Sequence, residues 1–300
     1  MFGIENHIDQ YYLRIIMFIG INIIMALGLN LITGLTGQLS LGHAAFMSIG
    51  AYTSAILTLK MGYPYPLALL CGALMAAFFG IVIGFPSLRL SGDYLAIATL
   101  GFAEIVKVLL LNMNITGGAL GLSPIAADTT LSTVFLLVVI TIWIMYRLEN
   151  SRFGRGLKAI REDEIAAESM GINTTSYKIQ AFAIGSFFAG LGGGLYAHYI
   201  QFISPNDFGF LKSVDLLSML VLGGMGSISG TIIGATVLTA APEMLRFVQQ
   251  YRMLIYGALL VVMMIFRPNG LLGGVDITKI FKKTFGIKDK KTQKVKGEAK

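Results

Sequence analysis

The 300-residue chain is 55% hydrophobic and 13% charged, with a mean hydropathy of +0.74 and a formal net charge of +7. Soluble domains carry roughly 45 to 50% apolar and about 25% charged residues, so this composition excludes an ordinary soluble domain and places the chain in a bilayer. The positive charge does not point to nucleic acid, because residues 276–300 hold nine Lys against Asp276, Asp289 and Glu298, which is +6 of the +7.

Residues 1–10 carry Glu5 and Asp9 and no basic cluster, so the first apolar run reads as a retained membrane span rather than a cleaved signal peptide. Apolar runs follow at 11–33, 44–59, 65–85, 94–111 and 131–146, with more up to Phe266. Lipid cannot hydrogen-bond backbone groups, so runs of this length must be helical. Barrel strands would alternate polar and apolar residues, and these do not. The expectation is an all-α, polytopic integral membrane protein of about 8–10 transmembrane helices. Residues 1–275 form its transmembrane domain, and 276–300 a basic, partly disordered cytoplasmic tail able to meet anionic lipid headgroups.

The run Thr33-Gly-Leu-Thr-Gly-Gln-Leu-Ser-Leu-Gly-His43 separates the first two apolar segments with a polar, Gly-rich junction. Gln38, Ser40 and His43 cluster there between apolar flanks. A surface loop would accommodate them. The alternative is a break at membrane depth, which is tolerated only where protein or a water-filled cavity surrounds it. Farther on, Glu104 and Lys107 stand at i,i+3 within one apolar segment and can face each other on a helix. Such a pair would suit an ion-coupled transporter, and equally a self-satisfied pair. Cys71, the single cysteine, excludes a disulfide framework.

Eleven charged residues then fall between Arg147 and Lys178, six of them basic, which places this island on the cytoplasmic side. After it, 178–199 reads as an outgoing span and 252–266 as a returning one. Between them, residues 214–242 are too short for two full spans, and Gly-Gly-Met-Gly-Ser-Ile-Ser-Gly at 223–230 interrupts them, so a pair of half-helices is expected. Paired breaks in two halves of a chain point to a solute path, which makes Gln38, Ser40, His43, Gly223, Gly224 and Gly226 the candidate pathway residues. The small-residue ladders Gly80/Gly84, Gly190/Gly194 and Gly226/Gly230/Gly234 read as close helix packing.

Several chemistries are missing. There is no Gly-Lys dipeptide and hence no Walker A loop, the three histidines His7, His43 and His198 lack metal-ligand spacing, and there is no Gly-x-Ser-x-Gly elbow. The chain reads as a transport subunit rather than an enzyme. Within the island, Phe153-Gly-Arg155, Asp163-Glu164 and Ala166-Ala167-x-x-x-Gly171 resemble the EAA-type loop of ABC importer permeases, with Ile165 where that motif's glutamate usually stands. Helical spacing would put Ala167 and Gly171 on one face at i,i+4, with Arg155, Asp163 and Glu164 among the rim charges.

Gly34-Leu-Thr-Gly-Gln-Leu-Ser-Leu-Gly-His-Ala-Ala-Phe46, Gly50-Ala-Tyr52, Pro86-Ser-Leu-Arg-Leu-Ser-Gly-Asp-Tyr94, Leu222-Gly-Gly-Met-Gly-Ser227 and Phe266-Arg-Pro-Asn-Gly-Leu271 resemble the permeases of high-affinity branched-chain amino acid ABC importers, M-type. The resemblance implies alternating access driven by two ABC ATPase subunits, which would dock on the loop at 147–178 through Arg155, Asp163, Glu164, Ala166, Ala167 and Gly171. It implies a second homologous permease subunit and an extracytoplasmic amino acid-binding protein. ATP and Mg would sit in the ATPase partners, with no cofactor in this chain. The setting would be a bacterial cytoplasmic membrane. Urea-type permeases share the scaffold and give an alternative substrate class. An ion-coupled secondary transporter using Glu104 and Lys107, or a membrane scaffold without transport, would be the readings outside this class.

Overall fold

A computed structural model describes residues 9–87, 90, 92–244 and 257. The expected return span at 252–266, apart from Gly257, and the basic tail at 276–300 lie outside these residues. The described helices are α1 (Gln10–Leu29), continued by a π-helical turn (Asn30–Leu35), α2 (His43–Met61), α3 (Tyr65–Ser87), α4 (Asp93–Asn112), α5 (Leu131–Glu149), α6 (Arg152–Glu162), α7 (Glu164–Ser169), α8 (Thr174–Ile200), α9 (Phe210–Gly223) and α10 (Ile228–Met244). Among the described residues there is no strand, only an isolated bridge between Leu122 and Ile203. Six helical segments, Gln10–Leu35, His43–Met61, Tyr65–Phe85, Asp93–Asn112, Leu131–Glu149 and Thr174–Ile200, are long and apolar enough to cross a membrane.

Burial separates these spans into two shells. The segments containing α1, α2 and α8 are mostly enclosed by protein, whereas α3, α4 and α5 turn apolar side chains outward. On α5 these are Phe135, Leu136, Val139, Ile140 and Trp143. In water such a surface would be costly, but lipid is as apolar as these side chains, so the outer shell needs no cover. Association of the inner shell then relies on close packing, and glycine permits it. A Cβ on Gly28 would fall 2.7 Å from the Gly185 carbonyl oxygen, and one on Gly50 would collide with the Gly190 backbone. The packing role expected of the small-residue ladders is found at Gly80 against Ser186, Gly190 against Ala76, and Gly194 against Leu69.

Hydrogen bonds fix the directions of the helices. Tyr11 Oη donates to Glu243 at 2.9 Å, Asn22 Nδ2 to Thr239 Oγ1 at 2.9 Å, and Gly226 N to Asn30 Oδ1 at 2.8 Å, so α10 runs antiparallel to α1 along its whole length. α9 therefore descends toward the end of the bundle that carries α6 and α7, and α10 climbs back. At 1.5 Å per residue the 14 residues of α9 reach about 21 Å, short of a hydrocarbon core of about 30 Å, while α10 is described as far as Met244. The expected interruption between α9 and α10 is thus present, and α9 is too short to span by itself. At the far end, Lys60 Nζ donates to Ile115 O at 2.8 Å, Tyr52 Oη donates to Ile203 O at 3.3 Å, and Thr58 meets His198 at 3.1 Å, which closes α2 onto the loops and α8.

Candidate functional site

The first interruption begins inside α1. Its last turn widens to π-helix at Asn30–Leu35, every residue of it buried, and Gly37 then takes a left-handed φ of +76° that turns the chain back into the bundle. Residues 38–42 are not helical, and α2 starts at His43 within the protein interior. Gln38 is 6% exposed, and Ser40 and His43 are fully buried, so the polar side chains of the junction are enclosed by protein although Gly37 is exposed.

A helix that begins in an apolar interior must find acceptors for its first N–H groups. Here other helices supply them: Ser213 Oγ of α9 accepts from Ala44 N at 3.1 Å, and Thr99 Oγ1 of α4 accepts from Leu41 N at 3.0 Å. His43 Nε2 lies 3.1 Å from the Met25 carbonyl oxygen and so carries the proton as donor. That leaves His43 Nδ1, both amide atoms of Gln38 and Ser40 Oγ without a hydrogen-bond partner. Buried polar atoms are almost always satisfied, so their concentration along six residues is the unusual feature of this junction.

The second interruption is a turn of glycines between α9 and α10. Gly224 and Gly226 adopt φ of +109° and +86°, values open to glycine and strained for other residues. Ser227 Oγ accepts from Gly230 N at 3.2 Å and caps α10. Gly223 and Gly230 approach so closely that neither leaves room for a Cβ. The two interruptions meet, but not through Gln38, Ser40 or His43. Contact is made by Asn30, whose side chain caps Gly226, and by Gly34, whose carbonyl lies 3.0 Å from where a Gly226 Cβ would sit.

The charged island folds as two short helices packed under these breaks. On α6, Gly154, Gly156, Leu157 and Ile160 are buried, and the Phe153 ring stacks on Tyr177 of α8 at 5.3 Å. Its last turn sends Arg161 upward, where Nη1 donates to Gly34 O. Asn30 is not among the residues that the sequence points to, and Arg161 figures there only as a rim charge of the island. Asn30 is one polar residue in an apolar run and Arg161 one cation among many, so the signal lay only in the cost of an unpartnered Asn in lipid.

α7 corrects the expected face. Asp163 Oδ1 accepts from Ala166 N at 3.0 Å and starts the helix, and its last turn ends in a Schellman motif, with Gly171 N donating to Glu168 O at 2.9 Å and Ile172 N to Ala167 O at 3.1 Å. Gly171 has φ of +82° and lies beyond the helix, so it shares no helical face with Ala167. Ala167 is 4% exposed and packs inward, while Ala166 and Gly171 are exposed. Most of the rim charges have partners in the chain itself. Arg155 Nη1 donates to Asn150 O at 3.0 Å, Glu164 pairs with Lys178, and Thr174 Oγ1 donates to Glu168 at 3.2 Å. Two apolar side chains project beside them: Ile165 at 78% and Met170 at 84% exposure.

Glu104 and Lys107 do not pair. Among the described residues the ion pairs are Lys158–Glu149 at 2.8 Å and Lys178–Glu164. Lys107 Nζ instead lies 3.8 Å from the place of a Cβ on Gly209. No group of three or more His, Cys, Asp or Glu among the described residues could hold a metal ion.

Among curated proteins, the high-affinity branched-chain amino acid transport system permease protein LivM of Escherichia coli (strain K12) is 42% identical, over 79% of this chain and 64% of that protein. The probable branched-chain amino acid transport permease protein LivM of Methanocaldococcus jannaschii is 27% identical over 68% of each. The permease protein LivH of Escherichia coli (strain K12) is 32% identical over 49% of this chain and 47% of that protein. The chain thus spans less than two thirds of the Escherichia coli LivM relative. No solved structure matches it. The family described as branched-chain amino acid transport system / permease component matches residues 11–264, and the chain is a multi-pass membrane protein that belongs to this family.

Proposed function

We propose that this chain is the transmembrane permease subunit of an ATP-driven importer of branched-chain amino acids, leucine, isoleucine and valine. The observation that carries the reading is the α6–α7 pair lying directly under two helix breaks that touch each other, in a chain of this permease family. Six basic residues between Arg147 and Lys178 favour the cytoplasm for this end, which puts the α2–α8 loops on the outside. Two ATPase subunits, binding ATP and Mg, would seat α7 through the exposed Ile165, Ala166 and Met170. A second, LivH-like permease subunit would complete the pore, and an extracytoplasmic binding protein would deliver the amino acid.

The division of labour follows from the residues. Lacking a phosphate-binding loop, this chain contributes shape changes rather than hydrolysis. α6 and α7 form one handle, since Asp163 ends α6 and caps α7, and the ties of Glu164 to Lys178 and of Glu168 to Thr174 hold α7 against the start of α8. Motion of the handle is passed to the breaks, where helices are already divided and can tilt about glycine turns without tearing a hydrogen-bond ladder.

The test is reconstitution of the permease pair with its ATPases in vesicles. Leucine uptake should require ATP on the ATPase side and persist when the proton gradient is collapsed. Uptake by this chain alone, driven by a pH gradient, would overturn the reading.

A further inference from the structure

We propose that Arg161 is the positioning residue that links the α6–α7 handle to both helix breaks, so that displacement of α7 is felt at Gly34 and Gly226 through one guanidinium. This inference deepens the function proposed above and rests on it. Four observations place Arg161 in that role. It occupies the last turn of α6, two residues before Asp163 caps α7, so it moves with the handle. Its Nη1 donates to Gly34 O, a carbonyl at the end of the π-helical turn. Its aliphatic stem lies against Gly37, where a Cβ would fall 3.1 Å from Arg161 Cγ. The same Nη1 would lie 2.6 Å from a Cβ on Gly226, the residue that Asn30 ties to the first break.

The chemistry explains why an arginine serves here. The last carbonyls of a helix have no partner in the helix and carry the negative end of its dipole, so a cation beside them is favourable. A guanidinium presents several donors in a fixed plane, and its orientation follows its stem. The stem in turn is held by Gly37, whose left-handed conformation and missing side chain leave a channel for it. Gly226 needs the same absence of a side chain on the opposite side. Three glycines from two separate breaks therefore surround one arginine from the handle. By contrast, Arg155, on the same helix, reaches Asn150 at the end of α5 and does not touch either break.

A link of this kind predicts loss of coupling rather than loss of hydrolysis. In the complete transporter, Arg161→Met keeps the stem and removes the donors. Uptake per ATP hydrolysed should fall about tenfold or more, within the range of ordinary coupling free energies, while ATP hydrolysis stays within about twofold. Arg161→Lys, which restores a charge without the fork, should recover part of the lost uptake. Arg152→Met, at the exposed start of the same helix, should leave the ratio unchanged. A second readout is independent of uptake: with Cys71 replaced by Ser, Gln38→Cys should change its thiol reactivity on ATP addition, and Arg161→Met should abolish that change. An unchanged uptake-to-hydrolysis ratio and an unchanged ATP response in Arg161→Met would overturn the proposal. If neither Arg161 variant assembles with the ATPases, Arg161 acts in docking and the proposal is equally overturned. Absence of ATP-dependent uptake in the unaltered transporter would instead defeat the function proposed above.

Discussion

The Gly226 backbone N–H donates to Asn30 Oδ1 over 2.8 Å, which joins the π-helical end of α1 to the turn between α9 and α10. Both partners need this bond. Gly226 lies within a helix-breaking turn with no helical acceptor, and Asn30 is 2% exposed in a mainly apolar stretch. The bond therefore solves two burial problems at once and sets the distance between the breaks.

Asn30→Ala leaves the Gly226 N–H unsatisfied, which should destabilise the protein by about 1–3 kcal/mol. Thermal unfolding in detergent measures it as a lower midpoint. Thr36→Val is the comparison: its hydroxyl donates to Leu31 O at 3.0 Å, within a single turn, so its loss should cost about 1 kcal/mol and leave the breaks in register. Equal midpoints for Asn30→Ala and the unaltered chain would show that the Asn30–Gly226 bond contributes nothing to holding the breaks.

Both breaks were legible in the sequence because polar and glycine residues interrupt apolar runs, and a bilayer leaves few ways to satisfy such interruptions. The partnering of the breaks was not. Asn30 lies upstream of Gln38, where the polar cluster starts, inside the apolar run, and pairing across 196 residues leaves no trace in local periodicity. The coupling loop shows the opposite error. Ala167 and Gly171 have helical spacing, but Asp163 as N-cap and Gly171 as a left-handed terminator shorten the helix to Glu164–Ser169, so spacing was read across its end. Gly171 is there to stop the helix, a use that the rule of glycine after a helix C-terminus could have found.

The ion pair between Glu164 and Lys178 is asymmetric, because the Lys178 side chain is 7% exposed and that of Glu164 is 43% exposed. Removing the carboxylate strands a buried ammonium, whereas removing the ammonium frees a carboxylate that water can reach. Glu164→Ala should therefore loosen α7 more than Lys178→Met does. Backbone hydrogen exchange over residues 163–171 would record it as faster exchange in the first variant. Equal exchange in the two variants would mean that the pair does not anchor α7.

Exposed Ile165 and Met170 make α7 an apolar knob rather than a small-residue face. Ile165→Asp and Met170→Asp should each weaken capture of the ATPase subunits by about tenfold or more, as expected where an anchor enters a desolvated pocket, with no change in thermal midpoint. Gly171→Trp acts by another route. A Cβ at this position meets nothing within 4 Å, so a ring would not overfill a contact within the chain. It would strain the left-handed turn by about 1–2 kcal/mol and fray the end of α7. Gly171→Asn, which tolerates that conformation, should bind the ATPases better than Gly171→Trp. If the Ile165 and Met170 variants bind normally, the docking surface is elsewhere on the handle.

Gln38 and Ser40 are enclosed by protein yet have no hydrogen-bond partner, and His43 has one ring nitrogen used and one unused. Packing alone would not retain three polar side chains in that condition, because each unsatisfied group disfavours the fold by about 1–3 kcal/mol relative to an apolar residue. Under the function proposed above, a route admitting water or an amino acid in part of the cycle would supply the missing partners. In a chain with Cys71 replaced, Gln38→Cys and Ser40→Cys should therefore stay protected from a small water-soluble thiol reagent in the state described here and become reactive when ATP or binding protein shifts the transporter to its other state. The glycine turn should respond together with them, since Ser213 of α9 caps α2 just beyond His43 and Asn30 holds Gly226. Met225, which is exposed in that turn, offers the reporter: Met225→Cys should change its labelling rate under the same additions. If positions 38 and 40 remain unreactive in every state while position 225 still responds, the solute path runs past the glycine turn alone and the junction before α2 is internal packing.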